Sequence, residues 1–430
     1  MTVLLDRPPV QAAPPASRPA PARPARSRRD PFIDLLRVAG MALIVFQHWT
    51  IPVLDYEDGR LTTGNALATP GVWVVTWLSQ VMPLVFFAGG AANAISFARS
   101  EQAGAQAPAW LAVRLRRLAW PLLPLAAVWI PLPQLLLTLG VPAQPLEVGA
   151  RLTGQLLWFL AVYLIAVVAT PYALRLHARH GWRVPAALAL GAVVTDVARF
   201  STGFDPVGYL NVVFVWLAVH QLGFFYAEGR LRGAGLLAAG GFGAAALLVA
   251  YGPYPGSMIG LPGAEVSNMA PPTLAMLAVG LGQIGLAVLL RPALVRLPLG
   301  RLLDWAGPRV MTVYLWHMPA LFAVTGVVVV LLGVDTPRPG SVLWFAGWPV
   351  WFGLLCLVMW PLVKWFARFE APPALPYGKT GTRGMLAASA LVGAGVLTLT
   401  VGGFAPGAGP FLAVLALLGG LLMTVPRLES

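Results

Sequence analysis

The sequence is poor in charged side chains, and this shortage excludes an ordinary soluble protein. Only 10% of its 430 residues are charged, while 58% are hydrophobic, and the mean hydropathy is +0.75. Soluble globular domains carry about 25% charged residues. We predict an all-α fold, a polytopic transmembrane helix bundle, because a helix satisfies its own backbone hydrogen bonds in lipid.

Cysteine and clustered metal ligands are also scarce. The one cysteine, Cys356, excludes a disulfide framework within the chain. No spacing of His, Asp and Glu resembles a metal site, and no Gly-rich nucleotide loop is present, so we predict neither a bound metal nor another bound cofactor. The net charge of +13 would suit nucleic acid. The basic residues follow membrane topology instead of one folded surface, however, and no nucleic-acid partner is expected.

Long apolar segments are abundant. Residues 1–30, rich in Pro and Arg, contain no apolar signal-peptide core and are predicted to form a disordered cytoplasmic tail. After them come twelve segments that approach the length of about 20 residues needed to cross a bilayer, which predicts ten to twelve spans. The segments lie near 33–53, 71–96, 114–140, 153–172, 184–200, 208–228, 233–252, 269–290, 310–332, 341–366, 385–404 and 408–425.

The basic residues set the orientation of these spans. If the N-terminus lies in the cytoplasm, 24 of the 29 basic residues fall in cytoplasmic segments and four fall on the opposite side. The remaining one, Arg37, lies within the first span. Cytoplasmic loops of membrane proteins carry such an excess of Lys and Arg. We therefore expect a multi-pass protein of the inner or plasma membrane with a cytoplasmic N-terminus.

Three ionisable residues occupy the first span, where a membrane helix usually has none. Arg37 and His48 are eleven residues apart, which is three helical turns plus roughly 20°, so they face the same way about 16 Å apart. Asp34 precedes Arg37 by one turn and can pair with it. Ionisable groups within the bilayer usually face a cavity or a partner, so these three indicate a functional site.

The stretch Asp30–Trp49 resembles the first helix of the membrane acyltransferase 3 family, polytopic enzymes that move acyl groups from acyl-CoA onto sugars and other hydroxyl acceptors. That helix carries an Arg-x10-His pattern, which Arg37 and His48 match. The resemblance covers roughly 31–370, as a domain of about ten helices, and leaves 371–430 as two additional transmembrane helices. Four further blocks resemble those of the family: Gln80–Gly90, Trp158–Leu160, Pro262–Pro272 and Tyr314–Pro319.

The resemblance implies an O-acyltransferase with acyl-CoA as co-substrate and a hydroxyl-bearing sugar, glycan or natural product as acceptor. His48 can act as the base that activates this hydroxyl, or can itself carry the acyl group; otherwise it is a hydrogen-bonded structural residue. Arg37 can bind a donor phosphate or polarise the donor, or only neutralise Asp34. The arginines before the third span have two possible explanations, which are donor binding and membrane topology. These arginines are Arg114, Arg116 and Arg117.

The other polar intramembrane residues are candidates for one common cavity. We expect His48, His220 and His317 to line it, whereas His177 and His180 are placed in a cytoplasmic loop and solvated. The further candidates for the cavity are Gln221, Trp158 and Tyr314, with Glu265 and Asn268 in an outer loop that presents them to a sugar. The alternative for Asn268 is that it caps the eighth span.

Two other classes of function use the same features. A transporter or flippase of a lipid-linked or glycosylated substrate could employ the intramembrane charges as a pathway, although no internal repeat is evident. A degenerate family member could serve as a membrane scaffold, but a scaffold has no need of Arg37 and His48 within the bilayer.

Overall fold

The computed structural model describes residues 30–69, 71–261, 264–374, 376 and 380–425, so the predicted tail lies outside the described residues apart from Asp30. The described ranges contain eleven helical segments that are long and apolar enough to cross a membrane, which confirms the all-α polytopic bundle. The segments are Pro31–Thr50, Val72–Gln102, Ala107–Thr138, Ala143–His180, Arg183–Thr202, Asp205–Ala227, Ala234–Tyr251, Leu274–Leu294, Gly300–Leu331, Val342–Phe369 and Thr382–Gly402.

The twelfth predicted segment is a helix, but it is too short for a full span. It runs from Ala408 to Leu422 and has 15 residues, whereas a bilayer requires about 20.

The α-helices in order are α1 Pro31–Thr50, α2 Thr76–Ser79, α3 Met82–Gln102, α4 Ala107–Ala119, α5 Leu122–Trp129, α6 Pro131–Thr138, α7 Ala143–Gln155, α8 Trp158–His180, α9 Arg183–Thr202, α10 Asn211–Ala227, α11 Ala234–Tyr251, α12 Leu274–Leu294, α13 Gly300–Ala306, α14 Val310–Thr325, α15 Val342–Phe366, α16 Thr382–Gly402 and α17 Ala408–Leu422.

The third and fourth spans are each divided into shorter α-helices. Pro121 precedes α5 and Pro131 begins α6, and proline lacks the N–H that would continue the preceding helix. The fourth span is interrupted at Leu156 and Leu157, between α7 and α8. α14 continues into a π-helical segment, Gly326–Leu331, an irregularity that is frequent at functional sites.

A β-hairpin follows α1, where the sequence had indicated only an outer loop. Strands β1 (Pro52–Glu57) and β2 (Arg60–Asn65) pair antiparallel. Asp58 and Gly59 both have positive φ, as a two-residue hairpin turn of the favoured twist requires. Gln144 of α7 binds Leu61 through both backbone groups, at 2.8 and 3.1 Å. The hairpin is thereby held on the bundle, at what we call the hairpin end.

Two hydrophobic clusters form the core, and α1 contributes to both. Its Met41 and Trp49 belong to a cluster with α4, α5, α14 and α16. Its Phe32 and Leu36 belong to a cluster with α3, α10 and α12. Phe159 of α8 packs against both clusters, so the beginning of α8 lies at the boundary between them.

Close backbone contacts between α3 and α10 require glycine. A Cβ on Gly90 would lie 2.0 Å from the backbone oxygen of His220, and one on Gly223 would lie 2.3 Å from that of Phe87. Such distances are impossible for any other residue, so the glycines allow these helices to approach as small residues do in membranes.

The last two helices pack on the rest of the bundle. α16 contacts α4, α7 and α8, and a Cβ on Gly154 of α7 would lie 2.2 Å from the backbone oxygen of Leu399 of α16. After α17, Thr424 accepts a hydrogen bond of 2.7 Å from Nε of Arg116 in α4. α16 and α17 are therefore integral parts of the bundle.

Candidate functional site

A cavity of about 1540 Å³ lies at the boundary between the two hydrophobic clusters. Typical small-molecule sites measure about 300–1,000 Å³, so this one can hold a large ligand. Its walls come from α1, the hairpin, α8, α14 and α16, together with the 3₁₀ turn Asp205–Leu210 and the loop that precedes α12. Of the residues that the sequence made candidates for one cavity, His48, Trp158 and Tyr314 line this one.

His48 and His317 form a hydrogen-bonded pair at this cavity. Nδ1 of His48 lies 2.8 Å from Nε2 of His317, and the two rings are nearly coplanar, with an angle of 7° between them. His317 is completely buried, whereas His48 forms part of the cavity wall. The first span and the ninth thus bring together two residues that are 269 positions apart.

The hydrogen bonds determine where the protons of this pair lie. Nδ1 of His317 is 2.7 Å from the backbone oxygen of Tyr314. A carbonyl oxygen only accepts, so this nitrogen carries a proton, and in the neutral ring Nε2 is then an acceptor. Nδ1 of His48 must therefore donate to it. The remaining nitrogen of His48, Nε2, keeps its lone pair and is the basic atom that this residue can offer to the cavity.

Two tryptophans hold the pair in place. The indole N–H of Trp49 donates to the backbone oxygen of His317 at 3.0 Å, and that of Trp351 donates to the backbone oxygen of Trp49 at 2.8 Å. These bonds tie α1, α14 and α15 together beside His48. They fix the position of the imidazole, as a site that handles protons requires.

Three polar atoms of cavity-lining residues have no hydrogen bond among the described residues. They are Nε2 of Gln47, Nε1 of Trp216 and Oγ1 of Thr325, and all three are buried. Buried polar groups without a partner are rare and expensive. They suit a ligand that carries hydroxyl groups. The sequence analysis did not single out any of the three residues, although an amide beside His48 on an apolar helix was a usable signal.

The arginines lie at the opposite end of the bundle, which we call the arginine end. Arg37 is 3.7 Å from Asp34, and its side chain is 38% exposed, so this ion pair forms as predicted. Arg114 donates to Ser96 Oγ and, at 3.4 Å, to the backbone oxygen of Ala92. The positive charges of Arg37 and Arg117 both act on Arg114.

In addition to Asp34, the carboxyl group of Glu370 lies near these arginines. Glu370, just after the tenth span, accepts a 2.6 Å hydrogen bond from the backbone N–H of Thr312. Burial raises the pKa of Glu370, although that hydrogen bond and the charges of Arg117 and Arg37 oppose the rise. Its burial thus makes this carboxyl group harder to ionise than an exposed glutamate.

Arg116 does not belong to this group. It is buried, and its guanidinium donates to the side chain and backbone of Thr424 and, at 3.0 Å, to the backbone oxygen of Pro376. Its bonds are to the C-terminal part of the chain, so the structure gives it a role in holding that part in place.

The expectation that all three intramembrane histidines line one cavity was wrong for His220. Its Nε2 lies 3.2 Å from Asn93 Nδ2 within packed helices, away from the cavity wall. The expectation for His177 was wrong as well, because this residue is buried in α8 instead of being solvated. There it binds Glu228 at 3.1 Å and receives a hydrogen bond of 3.0 Å from Gln221, which is therefore also not a cavity residue. His180 is exposed, as expected.

The loop before α12 is built differently from either expectation. Asn268 is buried and donates to the backbone oxygens of Pro255 and Ser257 at 2.6 and 2.9 Å, so it organises the loop. The cap of α12 is Thr273. Glu265 is exposed and is not part of the cavity wall.

Comparison with known proteins gives one match. The sequence profile of the Acyl_transf_3 family, described as an acyltransferase domain, matches residues 30–364, which include α1 to α14, nearly all of α15 and the His48–His317 pair. No curated protein and no solved structure matches the chain. With well over half of its length matched, this chain belongs to the acyltransferase 3 family and is a multi-pass membrane acyltransferase.

Proposed function

We propose that the enzyme transfers an acyl group from acyl-CoA to a hydroxyl group of a sugar, glycan or natural product, with His48 as the general base. One observation carries this proposal: a histidine with a fixed tautomer and a lone pair on Nε2 lines a large cavity. Neutral imidazole is the commonest base for such a proton transfer. We place the enzyme in the inner or plasma membrane because of its cytoplasmic positive charge.

The transfer proceeds by attack of the acceptor hydroxyl on the thioester carbonyl. Nε2 of His48 takes the hydroxyl proton as the new C–O bond forms. The tetrahedral intermediate then breaks its C–S bond, and the proton passes from His48 to the leaving CoA thiolate. The hydrogen bond from His48 Nδ1 to His317 stabilises the transient imidazolium, because His317 Nε2 accepts it. His317 acts as a positioning residue.

The donor is proposed to bind at the arginine end. Arg37, Arg114 and Arg117 act on one another electrostatically there, and clustered guanidinium groups suit the phosphates of CoA. Arg37 and His48 lie on the same helix about 16 Å apart along its axis, so a donor held by its phosphates must extend its pantetheine arm toward His48.

The acceptor is proposed to bind at the hairpin end of the cavity. Gln47 and Thr325 offer polar atoms without a partner among the described residues, and a hydroxyl-rich acceptor can satisfy both. Such groups discriminate strongly between substrates, because a substrate that lacks the matching hydroxyl leaves them unpaired.

The test is turnover of acyl-CoA by the purified full-length enzyme in lipid nanodiscs. Labelled acetyl-CoA and a panel of soluble and lipid-linked sugar acceptors would be supplied, and free CoA and labelled product followed. We expect stoichiometric CoA release and acetylation from wild type, loss of both in His48→Ala, and wild-type rates in His180→Ala, whose exposed imidazole serves as the matched control.

Two outcomes would contradict the proposal. Turnover that survives in His48→Ala would remove the base from the mechanism. Trapping of a labelled acyl group on His48 after an acid quench would replace general-base catalysis by a covalent acyl-histidine.

A further inference from the structure

The cavity does not end beside His48, but continues along the seam between α8 and α16. On α8 its lining runs from Trp158 to Tyr172, and Leu156 lines it just before the helix. At a rise of 1.5 Å per residue, the stretch from Leu156 to Tyr172 covers about 24 Å, most of the roughly 30 Å hydrocarbon core of a bilayer. A second, small cavity of about 70 Å³ is also lined by Tyr172 and extends the space toward Arg175.

One face of α16 forms the opposite wall of this seam. The lining residues of α16 recur about every three or four positions, which is the spacing of a single helical face: Leu386, Ser389, Ala390, Gly393, Leu397, Thr400 and Val401. The two helices are in contact here, because a Cβ on Gly393 would lie at ordinary van der Waals distance, 3.6 Å, from the side chain of Leu164 of α8. The family match ends at residue 364, so this wall comes from the part of the chain beyond the family domain.

The groove is open toward the lipid. Ile165, at the middle of the fourth span, lines the groove and is 43% exposed, and Leu397 lines it and is 55% exposed. The cavity is not fully enclosed by protein, and the medium around a spanning helix at this depth is hydrocarbon. A molecule can therefore move from the bilayer into the groove without passing through water.

We propose that this groove holds the hydrocarbon chain of the acceptor, so that the acceptor is an amphiphile whose hydroxyl-bearing head reaches His48 while its chain lies between α8 and α16. This inference rests on the proposed function. We assign the acceptor's chain to the apolar seam because the seam and the polar groups around His48 belong to one continuous cavity. The lateral opening favours a molecule that resides in the bilayer, and the donor is expected to arrive with its phosphates at the arginine end.

Two alanines of α16 provide a matched pair of variants. Ala390 lines the groove, whereas Ala387, less than one turn away, does not; both are exposed. Tryptophan at position 390 would fill the seam, and tryptophan at position 387 would add the same bulk outside it. Equal thermal stability of the two variants would show that neither has lost its fold.

The first measurement is binding, which requires no catalysis. Dodecyl glucoside with a photoreactive diazirine in its chain would be added to wild type in phosphatidylcholine nanodiscs, and the labelled residues identified by mass spectrometry. We expect labelling concentrated on the α8 and α16 faces of the groove, reduced several-fold by Ala390→Trp and unchanged by Ala387→Trp. Uniform labelling of all lipid-exposed helices, with no difference between the variants, would contradict the proposal that the groove binds a hydrocarbon chain.

The second measurement determines whether the hydrocarbon chain in the groove belongs to the acceptor or to the donor. With acetyl-CoA, Ala390→Trp should raise KM for dodecyl glucoside and leave turnover of methyl glucoside unchanged. If the variant instead discriminates against octanoyl-CoA when methyl glucoside is the acceptor, the chain belongs to the donor and the assignment is wrong. Without any CoA release the proposed function fails, while the labelling still decides whether the groove binds a chain.

Discussion

Two pairs of intramembrane histidines differ in one respect that matters. His48 and His317 bind each other beside a large cavity, whereas His177 and His220 bind Glu228, Gln221 and Asn93 within packed helices. His177, His220 and His317 are nearly or completely buried, whereas His48, the proposed base, is only half-buried. All four have hydrogen-bond partners, so hydrogen bonding alone does not separate the proposed base from a structural histidine. The difference lies in the space beside the imidazole, since a base needs room for its substrate.

The strongest test of this comparison replaces one member of each group. His48→Ala should lower kcat by about 10²- to 10⁴-fold, the usual contribution of general acid–base catalysis. His220→Ala should leave kcat nearly unchanged but cost about 1–3 kcal/mol of stability, because Asn93 loses its partner. Turnover rates and thermal unfolding in nanodiscs would be compared. Equal losses of kcat in both variants would mean that the cavity does not mark the site.

The role of His317 sharpens the comparison within the first group. His317→Leu removes the acceptor for Nδ1 of His48, so kcat should fall on the order of 10²-fold through loss of the correct tautomer. His317→Gln can still accept this hydrogen bond through its side-chain oxygen and should recover part of the rate. The pH profile of kcat should shift in the leucine variant, and an unshifted profile in both variants would argue for a merely structural role.

The arginines allow the same comparison at the other end of the bundle. Arg114→Met should raise KM for acyl-CoA by about tenfold, the value of one charge-assisted contact, with little change in stability. Arg116→Met should instead lower the unfolding temperature, because this residue holds Thr424 and the C-terminal segment. Donor titrations and unfolding curves would be recorded for both. A larger rise in KM for the Arg116 variant would reverse the assignment.

The smallest expected effect concerns Glu370. Burial raises its pKa, so the folded protein holds this proton more tightly than the unfolded chain does. The resulting stability is fully present below the pKa that Glu370 has in the unfolded chain, and it is lost as the pH rises through the pKa that Glu370 has in the folded protein. Glu370→Gln, which keeps an acceptor for the Thr312 N–H, should therefore raise the unfolding temperature at pH 8 more than at pH 5. Equal shifts at both pH values would contradict this reasoning.

Local patterns in the sequence predicted a large part of this structure. The Arg37–Asp34 pair follows from helical spacing, and apolar length located the eleven spans but also indicated a twelfth, which is the 15-residue helix α17. The prediction failed where the answer depended on neighbouring elements. His177 is near the end of its span that the sequence predicts to be cytoplasmic, so it was expected to be solvated, but α10 supplies Gln221, which binds it. The hairpin after α1 was missed, because Asp58 and Gly59 are also compatible with a simple loop.

The sequence by itself determined the membrane class, the spans, their expected orientation and the exceptional place of Arg37 and His48 on the first helix. These properties depend on transfer of side chains into lipid and on helical periodicity, which act over a few residues. Only the tertiary structure decided which histidine meets His48, which arginine is structural and where a cavity remains. Those outcomes depend on packing between helices hundreds of residues apart, and packing is a property of the assembled bundle.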